Sequence, residues 1–490
     1  MNAILKAGFD EDAKPDPGYR TDDFIAPYPP RTDEYLPGDA LTWLGFPRFI
    51  YHYARNAISV FSQQHYEVRH WTISFAGRTY HTVNDPEIIR DVLVRQPGSF
   101  GFDPIRIRVL GHLTGDSLLT VEGEGWKRVR HTVAPIFSPR HVGGLAQLMS
   151  GQCVRTVKRL AHGDGKKGTD VSASTIMGEL AFDILESTLF SGDLVGDPVE
   201  MRRDLELVLA TLGQISPLDA LGISNKVPRL GNLRAAGARR RFRSLVRENL
   251  KHRRAQGAAE DKPGGATNDL LDLMLSAEND DGQRLSEQEI EDNLMAFVAA
   301  GYETTARGLT WSLYLLSQSP QWLERMRVEL DAEDLDNLDP AMWLDHLPVT
   351  RAVFDEAMRL YPPVPLIVRQ AADDAKIGNE KVPAKTGFIT WPFVLHRHAT
   401  LWEAPDAFRP ERFMPENRDQ IDRFAYLPFG AGPRICVGMR FALQEAIIAL
   451  AHLVRDLDWT YVGQHPPMPV MRVTLRPDNG MPMRVAGRVR

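Results

Sequence analysis

Apolar and polar positions follow two different rhythms along the 490 residues of this chain. Alternation with period two is confined to short runs. Trp71-Thr-Ile-Ser-Phe75 and Thr79–Val83 flank Ala-Gly-Arg and read as a hairpin, and Phe388–Pro392 and Met471–Arg476 bring strands back near the end. Between these strands the apolar residues recur at helical spacing. The predicted helices cover Pro86–Arg95, Trp126–Ile136, Val142–Leu160, Glu179–Leu189, Pro198–Gly213, Gly231–Arg254, Leu270–Ala277, Trp322–Ala332 and Val349–Leu360. The longest runs from Leu285 to Ser317, with Ser286 as N-cap and Glu289 closing a capping box. The expected class is α+β, predominantly helical, with small β-sheets.

No Gly/Ser linker, repeat or break in composition divides the chain, so residues 41–490 read as one domain behind a Pro-rich N-terminal extension, residues 1–40. Arg254–Thr267 has the composition of a mobile surface loop. A net charge of −6, with 25% charged residues, argues against a nucleic-acid binder. The two cysteines, Cys153 and Cys436, exclude a disulfide framework and suit a reducing compartment. Cys153 falls in a helical stretch and is expected to be inert. Residues 1–39 are rich in prolines and acidic groups, with no apolar run near the ~18 residues of a membrane span and no signal-peptide pattern. A cytoplasmic protein without a transmembrane anchor is expected.

Candidate chemistry concentrates at Phe429-Gly-Ala-Gly-Pro-Arg-Ile-Cys436-Val-Gly438, directly before a helical run from Met439 to Leu453. Glycines and proline deny the loop regular structure and let its backbone approach something flat and bulky. The thiol precedes a helix N-terminus, where free N–H groups favour thiolate. That suits axial ligation of a haem iron. A buried inert cysteine remains open, as does a phosphate-cradling loop. The latter lacks the Gly-Lys-Ser/Thr ending, and zinc lacks further ligands at short spacing, His396 and His398 being remote.

Phe429, Gly432, Arg434, Cys436 and Gly438 resemble the F-x-x-G-x-R-x-C-x-G signature of the cytochrome P-450 family, in a soluble, bacterial-type form. Three further motifs stand in that family's order. Ala300-Gly301-Tyr302-Glu303-Thr304-Thr305 lies inside the longest helix, and Gly301 there is a local violation of helix propensity. A kink is expected, freeing a hydroxyl from its i−4 carbonyl. A small-residue helix contact is the plainer explanation of Gly301. Glu356-Ala-Met-Arg359 puts an acid and a base on one helix face, and Trp126-x-x-x-Arg130 places Trp and Arg one turn apart.

The resemblance implies a haem b (iron protoporphyrin IX) held between the long central helix and the cysteine-loop helix, with Cys436 as the metal ligand. It implies that Phe429, Gly430 and Ala300 border the haem, and that Trp126, Arg130, Arg369 and Arg434 hold its propionates. Thr304 would hydrogen-bond dioxygen, and Glu303 would relay protons. Glu356, Arg359 and an arginine downstream would form a structural triad, with Arg412 a better match than Arg409.

The implied activity is dioxygen-dependent hydroxylation or epoxidation of a lipophilic small molecule such as a fatty acid or terpenoid. Electrons would come from a separate ferredoxin or flavodoxin with its NAD(P)H reductase, because the chain ends at Arg490 without an attached reductase domain. Arg434 and Arg440 are candidates for that docking face. Expected pocket segments are 100–119, 209–223, 297–304, 363–368 and 464–468, with Tyr302 in the pocket roof and a substrate carboxylate as one role for Arg106 and Arg108. A peroxide-driven peroxygenase and a non-catalytic haem ligand sensor are the alternatives. The intact Glu303-Thr304 pair disfavours the former, and the absence of a recognisable signalling segment disfavours the latter.

Overall fold

The longest apolar run becomes the longest helix, and the rest of the molecule is arranged about it. This computed structural model describes residues 18–31, 35, 45–75, 78–161, 168–212, 230–256, 269–279 and 281–489. The elements used below are helices α1 (Gly45–Arg55), α2 (Pro104–Thr114), α3 (Gly123–Val133), α4 (Ala146–Ala161) and α5 (Ala173–Phe190). They continue with α6 (Pro198–Leu212), α7 (Leu230–Ala255), the central α8 (Glu287–Ser317), α9 (Pro348–Leu360) and α10 (Met439–Asp456). Strands β1 (His70–Phe75), β2 (Arg78–Val83), β3 (Phe100–Gly101), β4 (Ile367–Ala371) and β5 (Gly387–Thr390) form the largest sheet, in the order β1-β2-β5-β4-β3. Only the β2–β5 pair is parallel within it. Gly387 is needed where the parallel strands meet, since a Cβ there would lie 2.1 Å from the Tyr80 ring.

Helix α8 starts where its cap predicts. The Ser286 side chain accepts from the Glu289 amide, and the Glu289 carboxylate accepts from the Ser286 amide. Helix α8 is assigned without a break from Glu287 to Ser317. Gly301 answers to packing: a Cβ would come within 3.0 Å of Leu185 Cδ2 on α5. Gly308 does the same against α9, where Phe354 would be 2.9 Å away. Further along, Trp311 stacks on Tyr361 with ring centroids 3.7 Å apart. The close approach of α5 and α9 to α8 therefore depends on small residues and aromatics.

Glu356 and Arg359 form a fully buried pair on α9, joined by two hydrogen bonds of 2.6 and 2.7 Å. Arg359 also donates to the carbonyls of His396, Pro405 and Ala407, so its planar fork ties α9 to two loops at once. The Arg409 amide donates to Glu356 at 2.8 Å, while the Arg412 guanidinium stands 3.5 Å from the same oxygen. Arg412 is thus the side chain that approaches the pair. The Arg409 side chain turns away to Asp23 and to the Gly18 carbonyl.

That contact is one of several that strap residues 18–31 onto the core. Arg31 grips Asp406 and lies over the rings of Tyr28 and Tyr66, the Tyr361 hydroxyl donates to Pro27, and Ile25 bridges Ala407. Among the described residues no helix is long and apolar enough to cross a membrane.

Three expected helices are subdivided, among them Trp126–Ile136, which is α-helical to Val133 and 3-10 helical from Ala134. Pro86–Arg95 is α-helical to Arg90 and then closes with one π-type turn, and Val142–Leu160 is split at Leu145. The expected strand at Met471–Arg476 is a tight hairpin pairing Pro469–Met471 with Leu475–Pro477. Residues 257–267 of the expected mobile loop and residues 213–223 of an expected pocket segment lie outside the described residues.

Candidate functional site

The Cys436 loop is shaped by two glycines in the left-handed region, Gly430 and Gly432, both at φ +73°. At Gly432 the constraint is twofold, because a Cβ would fall 1.9 Å from the Leu93 carbonyl oxygen. The loop closes on itself where the Cys436 amide donates to the Phe429 carbonyl at 3.0 Å. Helix α10 follows, with Gly438 as its N-cap.

The thiol keeps accessible surface although burial raises its pKa. The two facts agree if the sulfur opens on an interior space walled by protein. The Gly438 amide and the Arg130 charge act the other way and favour thiolate, but burial outweighs them. The helix-terminal position thus favours thiolate, as expected, and burial opposes it. Bonding to a metal would have to displace the proton.

Helix α8 presents the matching surface. Almost every side chain near its middle is buried, yet Ala300 is exposed and Phe297, Gly301 and Thr304 are partly so. At 3.6 residues per turn these four share one face. Phe137 joins that face to the cysteine loop. Its ring meets Phe297 edge-on at 5.3 Å and Phe441 at 6.5 Å, and it lies 3.8 Å from where a Gly438 Cβ would be. The open stripe of α8 and the open sulfur are thus carried on neighbouring walls.

Thr304 Oγ1 donates to the Ala300 carbonyl at 2.7 Å, so the hydroxyl keeps the i−4 partner it was expected to leave. Glu303 is buried and paired with Arg307 at 3.2 Å. Tyr302 is not in the pocket roof. It lies on the opposite side of α8, against Phe182 and Gly178, and donates to Glu206 of α6 at 2.6 Å.

Cations gather beside the loop. Arg106 from α2, Arg369 from β4 and Arg434 all surround the Phe102 ring, at 4.0, 5.1 and 4.3 Å from its centroid. Arg434 also lies 4.0 Å over Trp126 of α3, and its guanidinium donates to the Val121 carbonyl. It faces inward and is no surface docking residue. Arg440, the other docking candidate, pairs with Asp345 at 3.6 Å.

Burial and mutual repulsion push these arginines down, Arg106 to about 9 and Arg369 and Arg434 to about 10. Arg130, on α3 with Trp126, is lowered by burial, and the Cys436 sulfur partly offsets this. Among the described residues Glu122 is the one carboxylate acting on Arg106, Arg369 and Arg434. Arg106 Nε has no hydrogen-bond partner at all. A buried surplus of positive charge fits a bound dianion. The two propionates of a haem are such a dianion, and a thiolate, a glycine-lined loop and an open helix face suit its flat ring. The residues present fit the group.

The sequence missed Arg106 as a partner in this cluster. Its Pro104-Ile-Arg-Ile-Arg-Val-Leu run is expected only as part of a pocket segment, and the structure makes it helix α2. Phe102, expected in a substrate pocket, is instead the platform under the arginines. Cys153 is fully buried, and burial raises its thiol pKa, as expected of an inert residue. His396 is a core histidine, its Nε2 accepting from the Leu427 amide at 2.8 Å.

Comparison with known proteins agrees with this geometry. The family model described as Cytochrome P450 matches residues 41–483. Cyclooctatin synthase of Streptomyces melanosporofaciens is 30% identical over 399 residues, covering 80% of this chain and 84% of that protein. Cyclooctat-9-en-7-ol 5-monooxygenase of the same organism is 32% identical over 372 residues, covering 75% and 77%. Cytokinin hydroxylase of Arabidopsis thaliana is 29% identical over 407 residues, covering 81% and 77%. Among solved structures, the heme domain of cytochrome P450DA superposes with a TM-score of 0.74 over 95% of this chain and 98% of that one, at 24% identity.

Proposed function

The chain belongs to the cytochrome P450 family and is a monooxygenase of that family; from this premise we propose that it hydroxylates or epoxidises a lipophilic small molecule, a terpenoid or a fatty acid, with Cys436 as the iron ligand. The observation that carries the assignment of the site is the meeting of three features. They are an accessible sulfur on a glycine-shaped loop, an open stripe on an otherwise buried helix, and a surplus of buried arginine. Two relatives named for cyclooctatin-type chemistry favour the terpenoid over the fatty acid.

A haem held through the Cys436 thiolate would supply the oxygen-activating chemistry, with the sulfur donating electron density to it. The chain's own residues hold, orient and protonate. Cys436 supplies the sulfur and the Gly438 amide donates to it, which moderates its charge. Trp126, Arg130, Arg369 and Arg434 would hold the propionates, and Arg106, clustered with Arg369 and Arg434 about Phe102, would join them rather than bind a substrate carboxylate. Ala300 leaves room for the substrate, while Phe297 and Leu366 are partly exposed apolar groups that would exclude water around it.

Thr304 Oγ1 has its proton engaged by the Ala300 carbonyl and its lone pairs free, so it can accept a proton before passing one on. Glu303 must leave Arg307 to deliver that proton, and this swing is the chain's own gate on protonation. Electrons come from a separate ferredoxin or flavodoxin with its NAD(P)H reductase, in the cytoplasm. The intact Glu303-Thr304 pair favours dioxygen over peroxide as oxidant.

A titration of the loaded protein with cyclic terpenoids and with fatty acids tests the substrate class. The expected result is a high-spin Soret shift with the terpenoids at the lower concentration. A shift with small aromatics alone would overturn it.

A further inference from the structure

Glu445 is a buried carboxyl for which the roles above leave no task. It lies on α10, nine residues after Cys436, and is fully buried. Its Oε2 accepts from Thr305 Oγ1 on α8 at 3.1 Å, and its Oε1 has no partner. Cys153 of α4 faces it, and that thiol's pKa is raised by burial and then by this carboxyl. Among the described residues no cation acts on Glu445: burial raises its pKa to about 8, and the Thr305 hydrogen bond alone opposes this. The seam of α4, α8 and α10 thus holds a buried acid with one hydrogen bond and a raised pKa. Its single hydrogen bond ends on the residue next to Thr304, and its own helix begins at the Cys436 loop.

We propose that Glu445 is a positioning residue that, while protonated, ties α8 to the Cys436 helix through Thr305 and so fixes Thr304 opposite the sulfur, and that loss of its proton loosens this tie. The inference rests on the roles given to Thr304 and Cys436 above. An ionised carboxylate with no cation nearby is disfavoured in such a seam and draws in water or pushes the helices apart. Because the folded pKa lies above the unfolded one, folded stability falls as pH rises between the two values, from about 4.5 to about 8.

Two substitutions test it. Glu445→Gln keeps an acceptor for Thr305 and cannot ionise, whereas Glu445→Leu removes the tie at similar volume. In the haem-free protein, the thermal midpoint of the Gln variant relative to wild type should climb by several degrees between about pH 5 and about pH 9. In the loaded protein, peroxide released per electron consumed should rise severalfold in wild type at the alkaline end and stay flat in Gln. The Leu variant should uncouple at both ends while keeping its thiolate-type carbon monoxide band. A Gln variant that tracks wild type at every pH, or a Leu variant coupled like wild type, overturns the proposal. If wild type itself lacks the thiolate-type band, the haem reading has failed, and the haem-free melting curves still report whether Glu445 titrates.

Discussion

Arg106→Met should act with opposite sign on the stability of haem-free protein and on haem binding. Arg106 lacks a protein partner on Nε, and burial followed by the charges of Arg369 and Arg434 holds its pKa at about 9. Against the ordinary arginine value, that depression corresponds to at most about 5 kcal/mol opposing the charged form. A base lowered in this way carries the penalty at every pH below about 9 and is relieved only as pH rises through that value. Methionine fills similar space without the charge, so the haem-free variant should melt several degrees above wild type at neutral pH. Haem reverses the sign. A propionate accepting from Arg106 contributes about 1.5–3 kcal/mol, so the variant should bind haem about 10- to 100-fold more weakly. Circular-dichroism melting of haem-free protein and a haem titration followed at the Soret band read the two quantities separately. A variant that melts lower when empty and binds haem as tightly as wild type would refute the assignment of this cluster to the propionates.

Two further substitutions address proton delivery and the supports of the loop. Thr304→Ala should leave haem binding unchanged but divert electrons to peroxide, measured as peroxide per electron consumed; unchanged coupling would remove Thr304 from the proton path. Glu356→Ala leaves the fully buried Arg359 uncompensated and should cost about 3–5 kcal/mol. Asp23→Ala should cost less, because Arg409 keeps Glu403 at 3.3 Å and the Gly18 carbonyl. Denaturant unfolding ranks the two, and equal losses would contradict the placement of Glu356 at the centre of this network.

The central helix and its capping box were legible because Ser286 and Glu289 act within one turn and the apolar period is long. The Cys436 loop was legible because its glycines are forced, Gly432 by the Leu93 carbonyl and by its positive φ. What the sequence hid is long-range. At Gly301 the sequence offered a small-residue contact but not its partner, Leu185, which lies more than a hundred residues away. The extension read as a Pro-rich tail because its anchors, Asp23 on Arg409 and Arg31 on Asp406, lie hundreds of residues apart. Helix α2 was missed because Ile-Arg-Ile-Arg alternates with the period of a strand, and tertiary packing overrode it. Tyr302 was misplaced because a motif fixes which residues neighbour one another but not which side of the helix each one faces.

Cys436→Ser, purified beside wild type and examined by reduced carbon monoxide difference spectroscopy, bears most directly on the assignment of this sulfur to iron. Wild type should show the thiolate-type Soret band, and the serine variant should lose it whether or not it retains pigment. A serine variant with the same band as wild type would mean that another atom holds the iron.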